Sequence, residues 1–327
     1  MQPFTYVRAQ SLNEALQQAA QPGAAILAGG TTMIDLMRGD LAAPSSLVDI
    51  GHLPELATID TDGPVLRFGA LVRMADAAEN PTLLRDYPAL PESLQQAASQ
   101  QLRNAATLGG NILQRTRCPY FRNGVSACNK RVPNSGCSAL DGEDREMALF
   151  GTSDLCVANY PGDWGTALAA FDTDVEISSA TGRRTVPFAD FHLPYGDDPV
   201  VETVLRPGEI VTAITVQATP LGRKSTYLKV RDRQSYAYAL VSATVALEMD
   251  GDHVRAARVS LGGVASRPWR APEAEAALVG RQLTQATALE AGDAAFVGAR
   301  PLRQNAFKVE LGRRVVARAA LLASRRI

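Results

Sequence analysis

The chain of 327 residues carries a formal net charge of -1, and 46% of its residues are hydrophobic and 20% charged, as in ordinary globular proteins. No apolar run approaches the roughly 20 residues of a membrane-spanning helix, so we expect no membrane span. The nearly balanced charge provides no overall field that would attract nucleic acid, so we expect no nucleic-acid partner.

The N-terminal pattern predicts short helices and strands in a small mixed subdomain. A helical period over residues 12–20 precedes an apolar run, 24–28, that is typical of a buried strand, and a second helical pattern covers 31–38. Strand candidates follow at 46–50 and 65–71, separated by a turn-rich segment. We therefore predict a first subdomain over residues 1–56.

The middle of the chain predicts a second subdomain, 57–218, that contains an insertion. Helical patterns reach residue 114, whereas residues 113–157 are rich in Cys, Arg, Asn, Gly and Pro and hold too few apolar residues to form a core. A helix over 162–172, a hairpin over 175–188 and a strand over 209–216 are predicted to follow.

Beyond a linker-like segment, 219–222, the pattern predicts a separate C-terminal domain, 223–327. Two strand patterns, 239–249 and 253–264, flank the turn Asp250-Gly251-Asp252, and alanine-rich helices follow. Because strands and helices are segregated rather than alternating in βαβ units, the predicted fold class is α+β.

Two glycine loops are candidates for binding a phosphate. Leu27-Ala28-Gly29-Gly30-Thr31-Thr32 lies between a predicted strand and a predicted helix, and Thr107-Leu108-Gly109-Gly110-Asn111 follows about 80 residues later. Glycines allow backbone N–H groups to approach a phosphate closely, and hydroxyl side chains add donors. Taken alone, the first loop is as readily a tight turn, and it lacks the GxGxxG spacing of a Rossmann site. Together, the two loops could hold one diphosphate.

All four cysteines fall in the predicted insertion, with nine, eight and eighteen residues between successive members: Cys118, Cys128, Cys137 and Cys156. Their clustering predicts a shared ligand. Spacing alone leaves open an iron–sulfur cluster, a structural zinc, and disulfides or free thiols, although no CxxC pair typical of zinc is present.

No catalytic side chain is predicted. The three histidines, His52, His192 and His253, are scattered and form no HExxH motif, triad or paired metal site, so we interpret them as core or surface residues.

The glycine loops, extended to Gln101-Leu102-Arg103-Asn104-Ala105-Ala106-Thr107 on the second, resemble the FAD loops of flavin subunits in the xanthine oxidase (molybdenum hydroxylase) family. Tyr227-Leu228-Lys229-Val230-Arg231 and Ser260-Leu261-Gly262-Gly263 resemble the C-terminal domain of these subunits. The resemblance implies a vanillyl-alcohol-oxidase type FAD-binding fold of two subdomains, with a C-terminal α+β domain of the CO-dehydrogenase flavoprotein type. It also implies FAD-binding residues: Ile26, Leu27, Ala28, Gly29, Gly30, Thr31, Thr32, Met33, Ile34, Thr107, Gly110, Asn111, Asp154 and Lys229. For Lys229, the alternative is a solvated surface amine.

The cysteine segment is similar to that of a cluster-bearing subset of the family, found in periplasmic-type aldehyde oxidoreductases and in 4-hydroxybenzoyl-CoA reductase. The resemblance implies a 4Fe-4S cluster bound by Cys118, Cys128, Cys137 and Cys156. If Asp154 contacts the flavin, its closeness to Cys156 would make the cluster and the flavin share a wall.

As a family member, the chain would form a heterotrimer with a large molybdopterin subunit and a small 2Fe-2S subunit. It would pass electrons from the 2Fe-2S subunit to an external acceptor at the flavin, in a molybdenum-dependent aldehyde oxidoreductase. Two alternatives are a flavin subunit of a 4-hydroxybenzoyl-CoA reductase-like enzyme and a non-catalytic zinc-binding scaffold.

The start, Met1-Gln2-Pro3-Phe4, lacks the basic and apolar regions of an export signal. We therefore expect the chain to reach the periplasm with a signal-bearing partner, the cytoplasm being the alternative.

Overall fold

The structure, a computed structural model, describes residues 1–326 and contains three sheets. The first is a parallel sheet in the order β1-β3-β2, whose strands alternate with two helices. In chain order its elements are β1 (Thr5–Arg8), α1 (Leu12–Ala19), β2 (Ala24–Leu27), α2 (Met33–Arg38) and β3 (Ser46–Asp49). The segregation expected for the whole chain therefore does not hold in this part, because each short parallel strand needs a crossover to reach its neighbour.

The second sheet is antiparallel, in the order β4-β5-β8-β6-β7. Its strands are β4 (Ile59–Asp60), β5 (Val65–Gly69), β6 (Thr173–Ser179), β7 (Gly182–Pro187) and β8 (Ile210–Gln217). The long connection from β5 to β6 holds seven helices: α3 (Met74–Ala78), α4 (Pro81–Asp86), α5 (Ala89–Gln95), α6 (Gln100–Ala105), α7 (Leu108–Ile112), α8 (Pro119–Arg122) and α9 (Asp163–Leu168). A further helix, α10 (Phe188–Phe191), follows β7.

The third sheet is antiparallel, in the order β12-β11-β10-β9, and three helices complete this part of the chain. The elements are β9 (Ser225–Val230), β10 (Val241–Asp250), β11 (His253–Gly262), β12 (Trp269–Arg270), α11 (Pro272–Leu278), α12 (Gln285–Ala295) and α13 (Phe307–Ser324). Each sheet packs an apolar face on its own helices, giving three separate clusters of buried apolar side chains. The domain limits at residues 56 and 218–223 remain predictions.

The insertion has a small core of its own, contrary to the sequence-based expectation. Buried side chains of the insertion, among them Phe121 and Met147, pack with three of the four cysteines. Leu36 of α2, Ala158 and Tyr195 join this cluster from outside the insertion. The prediction was wrong because a core need not be supplied by consecutive residues: few apolar side chains suffice when other segments contribute the rest.

The C-terminal part holds the end of the insertion through a buried amine. Lys308 on α13 donates from Nζ to the carbonyl oxygens of Met147 (3.1 Å) and Gly263 (2.9 Å), and Asn305 donates to the Met147 oxygen from 3.2 Å. Burial lowers the pKa of Lys308 to about 8. These bonds join α13, the segment after β11 and the end of the insertion.

Candidate functional site

The first glycine loop connects the end of β2 to the start of α2. Gly30 adopts φ +73°, a left-handed conformation that favours glycine. Among the described residues, no protein group accepts a hydrogen bond from the backbone N–H groups of Gly29, Gly30, Thr31 or Thr32. A row of free N–H donors on a partly exposed loop is suited to binding an anion.

The second glycine loop forms the start of α7. Thr107 caps the helix, its Oγ1 accepting from the Gly110 N–H at 3.3 Å. The Asn111 amide donates to Met74 Sδ at 3.4 Å, while its Oδ1 is buried and has no hydrogen-bond partner within residues 1–326. A buried acceptor without a partner is costly unless a ligand satisfies it. The Asn111 oxygen could therefore accept a hydrogen bond from a ligand held beside this loop.

The two loops are in direct contact. A Cβ atom placed on Gly29, in the first loop, would lie 1.9 Å from the carbonyl oxygen of Ala105, just before the second loop. One placed on Gly109, in the second loop, would lie 2.8 Å from the Cβ of Ala70, which follows β5. Only glycine permits these approaches, since real Cβ atoms stay beyond about 3 Å from such neighbours. The structure thus brings together two motifs that are about 80 residues apart in sequence.

Both loops open into a cleft of about 520 Å³ between the helices that follow β5 and the third sheet. Five of the predicted FAD-binding residues line the cleft: Thr31, Thr32, Gly110, Asn111 and Lys229. Most of the others stand behind this wall, in the same two loops: Ile26, Leu27, Ala28, Gly29, Gly30, Met33, Ile34 and Thr107. Asp154 is exposed and is not part of the lining, so the structure does not bring it to the cleft.

Lys229 forms a buried ion pair in the wall of the cleft. Its side chain is only 1% exposed, and Nζ lies 2.8 Å from Asp163 Oδ2 and 3.1 Å from the Gln96 carbonyl oxygen. The Tyr227 hydroxyl donates to the other oxygen of Asp163. Burial raises the pKa of Asp163, while the Lys229 ammonium opposes that shift by stabilising the carboxylate. The alternative of a solvated surface amine is therefore wrong.

Sequence analysis missed Asp163, although it starts α9 just after Pro161-Gly162. No local pattern connects it with Lys229, which is 66 residues away. The one signal in the sequence is an acidic residue that begins an otherwise apolar helical run. If such a helix is buried, its carboxylate needs a basic partner.

The four cysteines line one small cavity, as their clustering predicted. Cys128 and Cys137 face each other across an antiparallel bridge, Cys118 directly precedes α8, and Cys156 pairs with Ser153 in a tight turn. All four are free thiols, which removes the disulfide alternative from this structure. Within residues 1–326, no three His, Cys, Asp or Glu side chains are grouped closely enough to hold a single metal ion.

The protonation of the cysteines depends on their burial. Burial raises the pKa of Cys118 to about 11 and that of Cys156 to about 12. The backbone amides of Tyr120 and Phe121 oppose the shift at Cys118, and the Lys130 ammonium opposes it at Cys156. Thiols in this environment stay protonated until a metal displaces the proton.

The cleft and the cysteine cavity share one residue. Cys118 lines both, and Arg117 and Gln114 before it line the cleft. We expected the cleft and the cysteine cavity to share a wall at Asp154 and Cys156, but in the structure they share Cys118, at the other end of the insertion. The position of Cys118 depends on where α7 ends, and the local sequence does not reveal that.

His192 follows α10 and is buried against the end of α7, where it makes a contact that depends on pH. Its Nε2 lies 2.8 Å from the Ile112 carbonyl oxygen, so the neutral ring donates there, and burial lowers the pKa from 6.5 to about 4. As the pH falls through this interval, unfolded chains take up a proton that the folded chain does not, so stability is lost. We expect a loss of about 3 kcal/mol between pH 6.5 and pH 4 from this residue.

Urea unfolding of the wild type and of His192→Gln at pH 7 and pH 4.5 measures this effect. The variant should lose less stability on acidification, whereas His253→Gln, at an exposed position, should behave as the wild type. Identical acid sensitivity of His192→Gln and wild type would contradict the assignment.

Comparisons with known proteins agree with this geometry. The family described as the FAD binding domain in molybdopterin dehydrogenase matches residues 2–218, and the CO dehydrogenase flavoprotein C-terminal domain matches residues 226–323. The chain is 44% identical to the aldehyde oxidoreductase FAD-binding subunit PaoB of Escherichia coli, over 97% of each chain. It is 28% identical to the glyceraldehyde dehydrogenase medium chain of Sulfolobus acidocaldarius, over 86% of this chain and 82% of the relative.

A solved structure shows the same fold. Quinoline 2-oxidoreductase from Pseudomonas putida 86 superposes with a TM-score of 0.77 at 26% identity, covering 99% of this chain and 97% of that one. The predicted fold class is confirmed, and the hypothesis of a non-catalytic scaffold is wrong. The chain belongs to the family of FAD-binding subunits of molybdenum hydroxylases and is thus a subunit of an oxidoreductase complex.

Proposed function

We propose that this chain binds FAD in the cleft and a 4Fe-4S cluster at the four cysteines, and transfers electrons between partner subunits and an external acceptor. The observation that carries the proposal is the shared wall: Cys118 lines both the cleft and the cysteine cavity. Two redox groups held this way would be neighbours. A flavin exchanges electrons singly or in pairs, which suits a junction between iron–sulfur centres and a two-electron acceptor.

The FAD diphosphate would be bound by the glycine loops. The free N–H groups of Gly29 to Thr32 supply donors, the Thr31 and Thr32 hydroxyls line the same wall, and the Asn111 oxygen has an unfilled position. Lys229, whose charge is balanced by Asp163, would contribute a fixed polar wall to the cleft rather than a free positive charge. The remaining predicted residues of the loops, from Ile26 to Ile34 and Thr107, would hold the backbone in place. The assignment of Asp154 has no support from its position.

The cysteine cavity fits an iron–sulfur cluster better than a zinc ion. Zinc holds sulfur ligands about 2.3 Å from one centre, which requires a tighter group than residues 1–326 provide. In a 4Fe-4S cluster each cysteine binds a separate iron atom, so the four can line a wider cavity. The buried Lys130 lies beside Cys156 and also pairs with Glu202 at 2.6 Å, so that carboxylate and the proposed cluster would share its positive charge.

The complex is proposed to be an aldehyde oxidoreductase. Its 44% identical relative is named as the FAD-binding subunit of an aldehyde oxidoreductase, and other relatives are named medium chains or medium subunits. The proposed assembly is a heterotrimer with a molybdopterin subunit and a 2Fe-2S subunit. A 4-hydroxybenzoyl-CoA reductase-like enzyme, with electrons flowing inward, is the competing substrate class.

No helix in the described part of the chain is both long and apolar enough to span a bilayer. For the compartment, we propose that this subunit enters the periplasm together with a signal-bearing partner. Fractionation of cells that express the whole complex, with and without the partner's signal, tests this proposal.

A cofactor census on the anaerobically purified complex tests the proposed function. Released flavin is identified by chromatography, and iron, zinc and acid-labile sulfide are measured after the subunits have been separated under native conditions. One FAD with about four iron and four sulfide on this chain is expected. Zinc in place of iron would overturn the cluster assignment and leave the flavin assignment intact.

Cys137→Ser should remove at least one iron atom from this chain and change its EPR spectrum, because a serine hydroxyl is a poor replacement for a thiolate ligand. FAD should still bind, since Cys137 does not line the cleft. The matched control is Ser138→Ala, at the next residue, whose side chain lines neither cavity. A Cys137→Ser chain with the full iron content of the wild type would refute the ligand assignment.

A further inference from the structure

Arg117 links the cysteine segment to the flavin cleft. It directly precedes Cys118 and lines the cleft together with Thr31, Thr32 and Asn111. Its Nε donates to the Tyr238 hydroxyl at 2.7 Å, and its guanidinium lies 5.4 Å from the centre of that ring. The side chain is therefore held in one orientation at the edge of the cleft.

Asp35 connects Arg117 to the first glycine loop. It lies in the first turn of α2, three residues beyond Thr32, and its Oδ2 is 3.7 Å from Arg117 NH1. The same oxygen forms a closer ion pair with Arg122, which ends α8. Two guanidinium groups thus share one carboxylate, which leaves a net positive charge beside a loop with free N–H donors.

Arg117 also has unused hydrogen-bonding capacity. Its NH1 atom is buried and has no hydrogen-bond partner among residues 1–326. The other basic groups that line the cleft are already occupied: Lys229 pairs with Asp163 at 2.8 Å, and Arg233 donates to the Tyr236 carbonyl oxygen. A planar guanidinium with a free N–H is well suited to a phosphate oxygen.

We propose that Arg117 binds the diphosphate of the flavin nucleotide and thereby makes FAD retention depend on the order of the cysteine segment. The inference rests on the proposed location of FAD in the cleft. When the cysteine segment is held in place at Cys118, the Arg117 guanidinium stays beside the first glycine loop. When the segment is disordered, Arg117 loses both this position and its contact with Asp35.

The test uses the assembled complex, with FAD removed and titrated back while flavin fluorescence is followed. Arg117→Met should raise the Kd for FAD about 10- to 100-fold, which is the effect of losing one charge-assisted hydrogen bond. Its iron and sulfide content should stay at the wild-type level. Arg117→Lys keeps the positive charge but lacks the paired N–H donors of the guanidinium, so it should lose less FAD affinity. It serves as the test variant if Arg117→Met does not assemble.

Arg115→Met is the matched control. Arg115 precedes the same cysteine by three residues, but it pairs with Glu202 at 3.0 Å, lies over the Phe121 ring and does not line the cleft. It should bind FAD as the wild type does. An Arg117→Met complex with wild-type affinity, or an equal loss in Arg115→Met, would overturn the proposal. A wild-type complex without FAD would instead overturn the proposed function.

The dependence on the cysteine segment is tested by a double-mutant cycle with Cys137→Ser, which lies away from the cleft. Cys137→Ser should weaken FAD binding a few-fold when Arg117 is present and have no further effect in Arg117→Met. Additive effects of the two substitutions would show that the diphosphate contact and the cysteine segment are independent, and would overturn the proposed link.

Discussion

Replacing Gly29 by alanine should yield a complex that assembles but binds FAD about 5- to 150-fold more weakly, because overpacking of this kind typically costs about 1–3 kcal/mol. The added Cβ would lie 1.9 Å from the Ala105 carbonyl oxygen and 3.2 Å from the Ala106 Cα. These are backbone atoms and cannot rotate away. The two glycine loops must therefore separate, which displaces the N–H donors of the first loop from the Thr107–Asn111 loop.

The measurement is the FAD content of the purified complex, followed by titration with FAD. Gly39→Ala is the matched control. Gly39 directly follows α2, the helix after the first glycine loop, and has a negative φ; its added Cβ would lie at an ordinary 3.6 Å from the Leu41 side chain. It should retain FAD fully. If Gly29→Ala binds FAD as tightly as wild type, the contact between the loops is not needed for the cofactor site.

Asp163→Leu should destabilise the chain by about 3–5 kcal/mol, because it leaves the Lys229 ammonium buried without its counter-ion. Lys229 would retain only the Gln96 carbonyl oxygen as partner, at 3.1 Å, and Tyr227 would lose its acceptor. FAD affinity should fall as well, since a displaced Lys229 no longer lines the cleft in the same position.

Urea unfolding followed by tryptophan fluorescence measures this loss, since buried Trp164 adjoins Asp163. The double variant Asp163→Leu/Lys229→Met should recover much of the stability, because it removes both charges. Asp232→Asn, which breaks an ion pair between half-exposed groups, should change stability by less than about 1 kcal/mol. Equal stability of Asp163→Leu and wild type would mean that the Lys229 charge is not buried in solution.

The elements most easily predicted from sequence were those with a strong local signal. The hairpin of β10 and β11 turns at Gly251, and the strand before the first glycine loop ends one residue before the apolar run does. The glycine loops could be recognised because their geometry restricts the residue type at each position. Such constraints act within a few residues and are visible in one sequence.

The parts that were missed depend on contacts between distant segments. Asp163 and Lys229 form one buried pair from α9 and β9, and the insertion takes Leu36 and Tyr195 into its core. Asp154 is next but one to Cys156 in sequence, yet it is exposed and does not line the cleft, whereas Cys156 is buried in the cysteine cavity. Closeness along the chain therefore did not indicate which residue lines both cavities.

The double use of Cys118 limits how this protein can be redesigned. An insertion that only carried a metal could be cut out and its ends rejoined. Here Arg117, Cys118 and Glu146 are also part of the wall of the cleft. Deleting residues 113–157 would remove this part of the wall, so a chain without the proposed metal site has to be made by exchanging single cysteines. The insertion is not a detachable module, because the cleft and the cysteine cavity share Cys118.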